Sequence, residues 1–120
     1  MLIRNANKTQ AFESEHGEIV YELIGQAAGG TDAYSLAQIV IPSGKASRLH
    51  THPVAEESYY ILAGTGQMRL DGEIAILKPG DVVPILPEQV HQISNHGEDD
   101  LILLAVCVPA WTADNSVYLD

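Results

Sequence analysis

The chain has 120 residues, of which 46% are hydrophobic, and this length suits one domain with a real core. Its 16 acidic and 6 basic side chains give a formal charge of −10, which repels phosphate backbones and anionic lipid surfaces. The composition therefore argues against nucleic acid and membranes as partners. The amino terminus lacks the apolar core of a secretory signal, so we expect a cytoplasmic protein.

Short extended segments follow one another along the chain, separated by turn residues. Asp71-Gly72 predicts a type I′ hairpin, because both residues tolerate a positive φ. Gly64-Thr-Gly66 permits another tight or bulged connection. No segment is long and periodic enough for a central helix, so we predict an all-β sandwich or small barrel. The predicted strands include residues 18–24, 34–41, 56–62 and 67–70.

The longest apolar run, Leu101 to Val108, is too short to cross a bilayer and stops at Pro109. We predict a strand buried on both faces. Cys107 lies in this run and is the only cysteine, so no disulfide within the chain is possible, and a small buried hydrophobe is expected. The segment after it predicts an ordered, non-helical tail, in which Trp111 either caps the barrel or lines a pocket.

Two histidines separated by one residue suggest a metal site. His50 and His52 share one face if their segment is extended, and Glu57 can return to the same point from the following strand. Two imidazoles and a carboxylate are good ligands for a divalent metal, and His91 is the best candidate for a further ligand. Glu56 should face the other side of its strand, although it would replace Glu57 if the register differed by one residue.

These residues also form a pattern that resembles the paired motifs of the cupin superfamily, over residues 44–64 and 80–95. In the second motif, Leu86 stands where the family has proline, and Glu88 where it has glycine. These two departures affect the expected shape of the turn more than the ligand set. The residues that match are Gly44, His50, His52, Glu57 and Gly64 in the first motif, and Gly80, His91 and Asn95 in the second.

The resemblance implies one cupin domain over residues 1–120, folded as a double-stranded β-helix or jelly roll with the metal in its mouth. It implies His50, His52, Glu57 and His91 as ligands of a divalent first-row transition metal, namely Mn, Fe, Ni, Co or Zn. Small cupins of this kind commonly form homodimers by pairing their sheets, and the strand at residues 101–108 would suit such an interface.

Two further residues are candidate catalytic groups. Tyr59 shares a strand face with Glu57, so its hydroxyl could serve as an acid or hydrogen-bond donor. Arg48 shares the face of His50 and His52 and could anchor a carboxylate-bearing substrate. The alternatives are that Tyr59 is a core aromatic and that Arg48 is a solvated charge at the end of a strand.

Cupins catalyse many reactions, so the resemblance by itself does not select one. We expect a metal-dependent enzyme acting on a small oxygenated compound, with dioxygenase or other oxidoreductase chemistry first. A redox-neutral isomerase, epimerase or lyase is the alternative. A small-ligand binding or sensing module without turnover is the competing class.

Overall fold

The computed structural model describes all 120 residues and contains eleven strands with only two short 3₁₀ segments, Ala6–Lys8 and Ala113–Asn115. The strands are β1 (Phe12–Glu13), β2 (Ile19–Ile24), β3 (Ser35–Ile41), β4 (His50–Thr51), β5 (Glu56–Ala63), β6 (Gly66–Leu70), β7 (Glu73–Leu77), β8 (Val82–Ile85), β9 (His91–Ser94), β10 (Leu101–Val108) and β11 (Val117–Tyr118).

The strands form two antiparallel sheets. The six-stranded sheet has the order β1-β2-β3-β10-β5-β8, and the five-stranded sheet has the order β11-β4-β9-β6-β7. Neighbours in both sheets are mostly distant in sequence, as in a jelly roll, and the predicted all-β double-stranded β-helix is confirmed. No helix in the structure has the length and apolar character needed to span a membrane.

The core lies between the two sheets and draws its side chains from alternate positions of the strands. Ile39, Ile61 and Leu103 come from the six-stranded sheet, and Met68 and Ile93 from the five-stranded sheet. Because alternate residues of a strand point to one face, these positions meet in the sandwich interior.

Strand β10 lies between β3 and β5 and is buried on one face only, so the prediction of burial on both faces was wrong. Leu101 and Leu103 point into the core, whereas Val106 and Val108 are 38% and 52% exposed. Only the inner face of the sheet has a second layer packed against it. Cys107 is on that inner face and is buried, as predicted, and burial raises the pKa of its thiol to about 12.

Two glycine-containing turns have the predicted character. Asp71 and Gly72 have φ values of 47° and 86° and connect β6 to β7 in the predicted hairpin. Gly64 has a φ of 76°, and a side chain there would collide with the backbone of Asp100. This glycine therefore allows β5 to end against the chain that leads into β10.

Candidate metal centre

The four predicted ligands come together from both sheets. His50 in β4 pairs directly with His91 in β9 of the five-stranded sheet, and His52 follows β4 by one residue. Glu57 lies in β5 of the opposite sheet. The cluster therefore lies between the sheets, where a bound ion would connect them.

The coordinating atoms are close enough to share one ion. Those of all four side chains lie within 4.8 Å of one another. Glu57 Oε1 is 3.4 Å from His52 Nε2 and 3.3 Å from His91 Nε2. The side chains of His52, Glu57 and His91 are buried, and His50 is partly buried.

Each imidazole is oriented by its other nitrogen. Nδ1 of His50 lies 2.7 Å from Arg48 O, Nδ1 of His52 lies 2.9 Å from Asn115 O, and Nδ1 of His91 lies 3.1 Å from Gln89 O. Because a carbonyl oxygen only accepts hydrogen bonds, Nδ1 carries the hydrogen in all three rings. In the neutral rings, Nε2 is then an unprotonated acceptor available for a ligand.

The facing atoms of this cluster lack a donor. His52 Nε2, His91 Nε2 and Glu57 Oε1 are buried and make no hydrogen bond. Acceptors that face one another at this distance repel unless a proton or a metal ion lies between them. The three imidazoles and one carboxylate therefore fit a divalent transition metal, and they suit Mn, Fe, Ni, Co or Zn.

Electrostatics inside the cluster favour a cation. Burial by itself would raise the pKa of Glu57, but the adjoining imidazoles of His52 and His91 lower it to about 2. Burial, and then the nearby His91, lower the pKa of His50 to about 4. Burial also disfavours the charged form of His52, but the adjacent carboxylate of Glu57 outweighs it and raises the pKa. The carboxylate of Glu57 is therefore ionised and the ring of His50 is neutral near pH 7, which are the forms that bind a metal ion.

The turn of the second motif forms even though Glu88 stands where the family has glycine. Glu88 adopts a φ of 71°, in the left-handed region that glycine usually occupies. Its backbone N–H donates to His52 O at 2.8 Å, so the turn is attached to the ligand-bearing segment. Asn95 Nδ2 donates to Ile41 O and Asp99 O, both at 2.8 Å, so Asn95 secures the turn after His91.

A cavity of about 90 Å³ opens beside the cluster. Half of its lining residues are hydrophobic, so its walls restrict water near the candidate metal site. The residues that line it are Phe12, Ser14, Glu18, Val20, Glu22, Ser35, Ala37, Ile39, Arg48, His50, His52, Glu57, Tyr59, Ala105, Cys107, Trp111, Ser116 and Tyr118.

The two predicted catalytic residues both line this cavity, but they differ in burial and in the groups that they contact. Tyr59 is 2% exposed, and its ring packs edge-on against His91 with centroids 6.0 Å apart. Burial and then the charge of Glu57 raise the pKa of the Tyr59 hydroxyl well above its ordinary value of 10.0, so the hydroxyl keeps its proton. Arg48 lines the cavity, but its guanidinium contacts Asp120 Oδ1 at 3.2 Å and lies 4.1 Å from the centroid of the Tyr118 ring.

Sequence reasoning missed two acidic residues in the cavity wall. Glu22 in β2 and Glu18 immediately before this strand line the cavity on either side of Val20. Burial, and then the charge of Glu57, raise the pKa of each carboxyl to about 7. Glu22 Oε1 is buried without a hydrogen-bond partner. The only available signal was their spacing, which places them on one strand face but does not say which face is buried.

The raised pKa of Glu22 predicts that the stability of the protein depends on pH and that substitution of Glu22 changes this dependence. The carboxyl of Glu22 releases its proton near pH 4.5 in the unfolded chain and near pH 7 in the folded chain. The contribution of Glu22 to stability should therefore be greatest below about pH 4.5 and be lost as the pH rises through 7. Because Glu22 is only partly buried, solvent screens part of this effect. We expect metal-free Glu22→Gln to be more stable than the original chain at pH 8 by roughly 1–2 kcal/mol, with little difference at pH 4.

Urea unfolding of metal-free protein at several pH values measures this effect. Glu73→Gln, at an exposed carboxylate of β7, is the matched control and should give the same small difference at every pH. A Glu22→Gln difference that does not grow between pH 4 and pH 8 would show that the Glu22 carboxyl titrates normally.

Comparison with known proteins agrees with this geometry. The cupin domain model matches residues 37–107, which include all four clustered residues. The chain belongs to the cupin family. Among its relatives, a protein of Methanocaldococcus jannaschii is 33% identical over 114 residues, covering 95% of this chain and 91% of that protein.

Two further matches of this cupin, both from Thermotoga maritima, have descriptions that mention oxalate. An oxalate-binding protein of Thermotoga maritima is 34% identical over 93 residues, covering 77% of each chain. The crystal structure of a predicted oxalate decarboxylase from Thermotoga maritima has a TM-score of 0.78 and 27% identity, covering 90% of this cupin and 99% of that chain. Both comparisons extend well beyond the two short motifs.

Proposed function

We propose that this cupin is a metal-dependent enzyme that converts a small oxygenated compound by proton transfer, in a lyase- or isomerase-type reaction without net oxidation. The proposal rests on one observation. The acceptors of His50, His52, Glu57 and His91 meet beside a small cavity that also holds proton-bearing groups. A metal and a proton donor facing one substrate are the requirements of this chemistry.

The size of the cavity limits the substrate. Its volume of about 90 Å³ is smaller than the engineered cavity of about 150 Å³ that holds benzene. A compact compound of roughly two to four carbons is the size we infer from that comparison. An oxygen-rich acid such as oxalate meets this limit and can chelate a metal through two oxygens. The 34% identity to an oxalate-binding protein supports this substrate class.

The roles proposed for the residues follow from their positions. His50, His52, Glu57 and His91 would hold the metal, which supplies a Lewis acid for the substrate oxygens. Tyr59 keeps its proton beside Glu57 and would donate a hydrogen bond to a substrate oxygen, which can become proton transfer only if negative charge develops on that oxygen. The apolar side chains of Ala37, Ile39 and Ala105 line the same cavity and restrict water there.

Arg48 remains a proposed anchor for a substrate carboxylate at the edge of the cavity. Its Nε is within 3.2 Å of Asp120 Oδ1, so an incoming carboxylate would have to replace that contact or share the guanidinium with it. The remaining wall carboxyls, Glu18 and Glu22, can accept an anion only while protonated. Their raised pKa values make this state accessible near neutral pH.

Oxygen-dependent oxidation, the first expectation from the sequence, is the second candidate. The ligand set also suits a redox-active metal with positions left for a substrate and dioxygen. Binding without turnover is the third, and the named oxalate-binding relative favours it.

A substrate screen under controlled atmosphere separates the three candidates. Protein loaded with Mn²⁺, Fe²⁺, Co²⁺, Ni²⁺ or Zn²⁺ is incubated with oxalate and other two- to four-carbon oxygenated acids, under air and under argon. Product formed equally in both atmospheres supports proton-transfer chemistry. Product formed only under air, with matching oxygen uptake, overturns it in favour of oxidation. Tight binding with no product overturns it in favour of a binding protein.

We also propose a homodimer formed through the outer face of the six-stranded sheet. This face has apolar side chains on the adjacent strands β10, β5 and β8, which are between 38% and 61% exposed. Pairing these faces in two copies would remove them from water. The side chains are Tyr60, Leu62, Val82, Val106 and Val108.

Light scattering after size-exclusion chromatography tests this interface. We expect a dimer for the original chain and a monomer for Val106→Glu/Val108→Glu, because two carboxylates would be buried without partners. Ile74→Glu/Ile76→Glu changes two exposed apolar residues of β7 in the other sheet and should leave the dimer intact. A monomeric original chain, or a dimer in both variants, contradicts the proposed interface.

A further inference from the structure

The C-terminal segment, residues 111–120, packs along the strand that bears the first metal-site histidine. In β11, Val117 and Tyr118 pair with Thr51 and His50 of β4. Leu119 N then donates to Leu49 O at 2.9 Å. The segment therefore contributes the strand next to β4 and lies directly beside the candidate metal centre.

This segment supplies the contacts that orient His52. His52 Nδ1 lies 2.9 Å from Asn115 O and 3.2 Å from Ser116 Oγ. The Nδ1 atoms of His50 and His91 contact carbonyl oxygens only two residues away, at Arg48 and Gln89. Among the three histidines, His52 depends on a part of the chain more than sixty residues away.

Trp111 in turn fixes the position of Ser116 through a hydrogen bond. The indole Nε1–H donates to Ser116 Oγ at 3.0 Å, and the Trp111 backbone N–H donates to Ser35 Oγ at 2.9 Å. The indole ring stacks on Phe12 with centroids 6.4 Å apart and an interplanar angle of 23°. Because the indole nitrogen can only donate, Ser116 Oγ accepts from it and keeps a second lone pair. The single hydrogen on His52 Nδ1 is therefore shared between Asn115 O at 2.9 Å and Ser116 Oγ at 3.2 Å.

We propose that Ser116 and Trp111 are positioning residues of the metal centre, which hold His52 with its Nε2 directed at the site shared with Glu57. The inference rests on the proposed metal dependence and deepens it. A ligand whose outer hydrogen bond is lost can rotate away from the metal, and such changes commonly weaken metal binding by about 10–100-fold. The side chain that touches the metal is His52, and Ser116 acts only through it.

Titration of chelator-stripped protein with Co²⁺ tests the inference, because the visible spectrum of Co²⁺ reports both affinity and ligand geometry. We expect Ser116→Ala to raise the Kd by up to about 10-fold and to alter the spectrum, because Asn115 O still accepts from His52 Nδ1–H but no longer shares the ring with the hydroxyl. Ser116→Thr restores the hydroxyl and should bring both readouts back toward those of the original chain. Trp111→Phe keeps the aromatic ring beside Phe12 but removes the N–H, and should weaken binding in the same direction.

Two controls separate positioning from general damage to the fold. Ser43→Ala removes a hydroxyl that donates to Gly97 O away from the metal centre, and should leave the Kd and the spectrum unchanged. The melting temperature of metal-free Ser116→Ala should stay close to that of the original chain. Weakened binding accompanied by an equal loss of metal-free stability would assign Ser116 a structural role and overturn the inference.

The outcomes also distinguish this inference from the proposed function. An original chain that binds Co²⁺ tightly but converts no substrate defeats the proposed activity and leaves the positioning role in place. Co²⁺ binding by Ser116→Ala with the affinity and spectrum of the original chain defeats the positioning role, whatever the activity. Unchanged binding by His52→Ala would overturn both, because His52 would then not be a ligand.

Discussion

Replacing His50 and His52 together with alanine is expected to abolish stoichiometric metal binding while the barrel stays folded. The change removes two of the three imidazoles whose Nε2 atoms face the candidate site. Neither residue belongs to the hydrophobic core cluster, so the packing between the sheets is retained. Elemental analysis after loading with a divalent metal and extensive dialysis measures the occupancy, and circular dichroism reports the fold.

His96→Ala provides the matched control for this prediction. His96 is an exposed loop histidine outside the cluster, so its loss should leave metal content unchanged. Full metal content in the folded double variant would show that the ion binds elsewhere, and the assignment of the four ligands would be wrong. A variant that loses metal only because it has unfolded is recognised by its circular dichroism spectrum.

Tyr59→Phe should lower turnover of the substrate found in the screen by about 10²-fold, if the hydroxyl acts as a general acid or base. The substitution keeps the buried ring and its edge contact with His91 and removes only the hydroxyl. Folding and metal content should therefore match those of the original chain. The measurement is kcat and kcat/KM of fully metal-loaded protein, compared at the same occupancy.

Tyr60→Phe is the control on the same strand. Tyr60 faces the other side of β5 and is 45% exposed, so loss of its hydroxyl should not affect turnover. Kinetics of Tyr59→Phe equal to those of the original chain would make Tyr59 a core aromatic. The metal ligands would then be the remaining candidates for catalytic groups.

The charge state of the cavity wall determines which ligands it can accept. β2 carries no basic residue, and burial, together with the nearby charge of Glu57, raises the pKa values of Glu18 and Glu22. A divalent ion bound beside Glu57 would offset that charge and lower both pKa values, while burial, the larger cause, would still hold them above 4.5. Metal binding should therefore make the wall more anionic, and an anionic substrate would then rely more on the metal than on the two carboxyls.

The sequence alone predicted the four candidate ligands that the structure brings together, because short spacings and two motifs carry the information needed. His50 and His52 are separated by one residue, and Glu57 follows in the next predicted strand. Strand alternation and the match to two motifs were enough to select these residues and His91, and to direct Glu56 outward. The hairpin at Asp71-Gly72 was equally predictable, since its backbone geometry depends on the two turn residues themselves.

The environment of these ligands was decided by the tertiary structure. The pattern of β2 left open which face would be buried, and only the packing of the sheets placed Glu18 and Glu22 in the cavity wall. The apolar run of β10 indicated burial on both faces, but just one face received a second layer. The hydrogen bond from His52 to Asn115 joins residues 63 positions apart, so no local pattern could reveal it. Strand periodicity specifies which residues share a face, whereas the pairing of distant strands determines what that face meets.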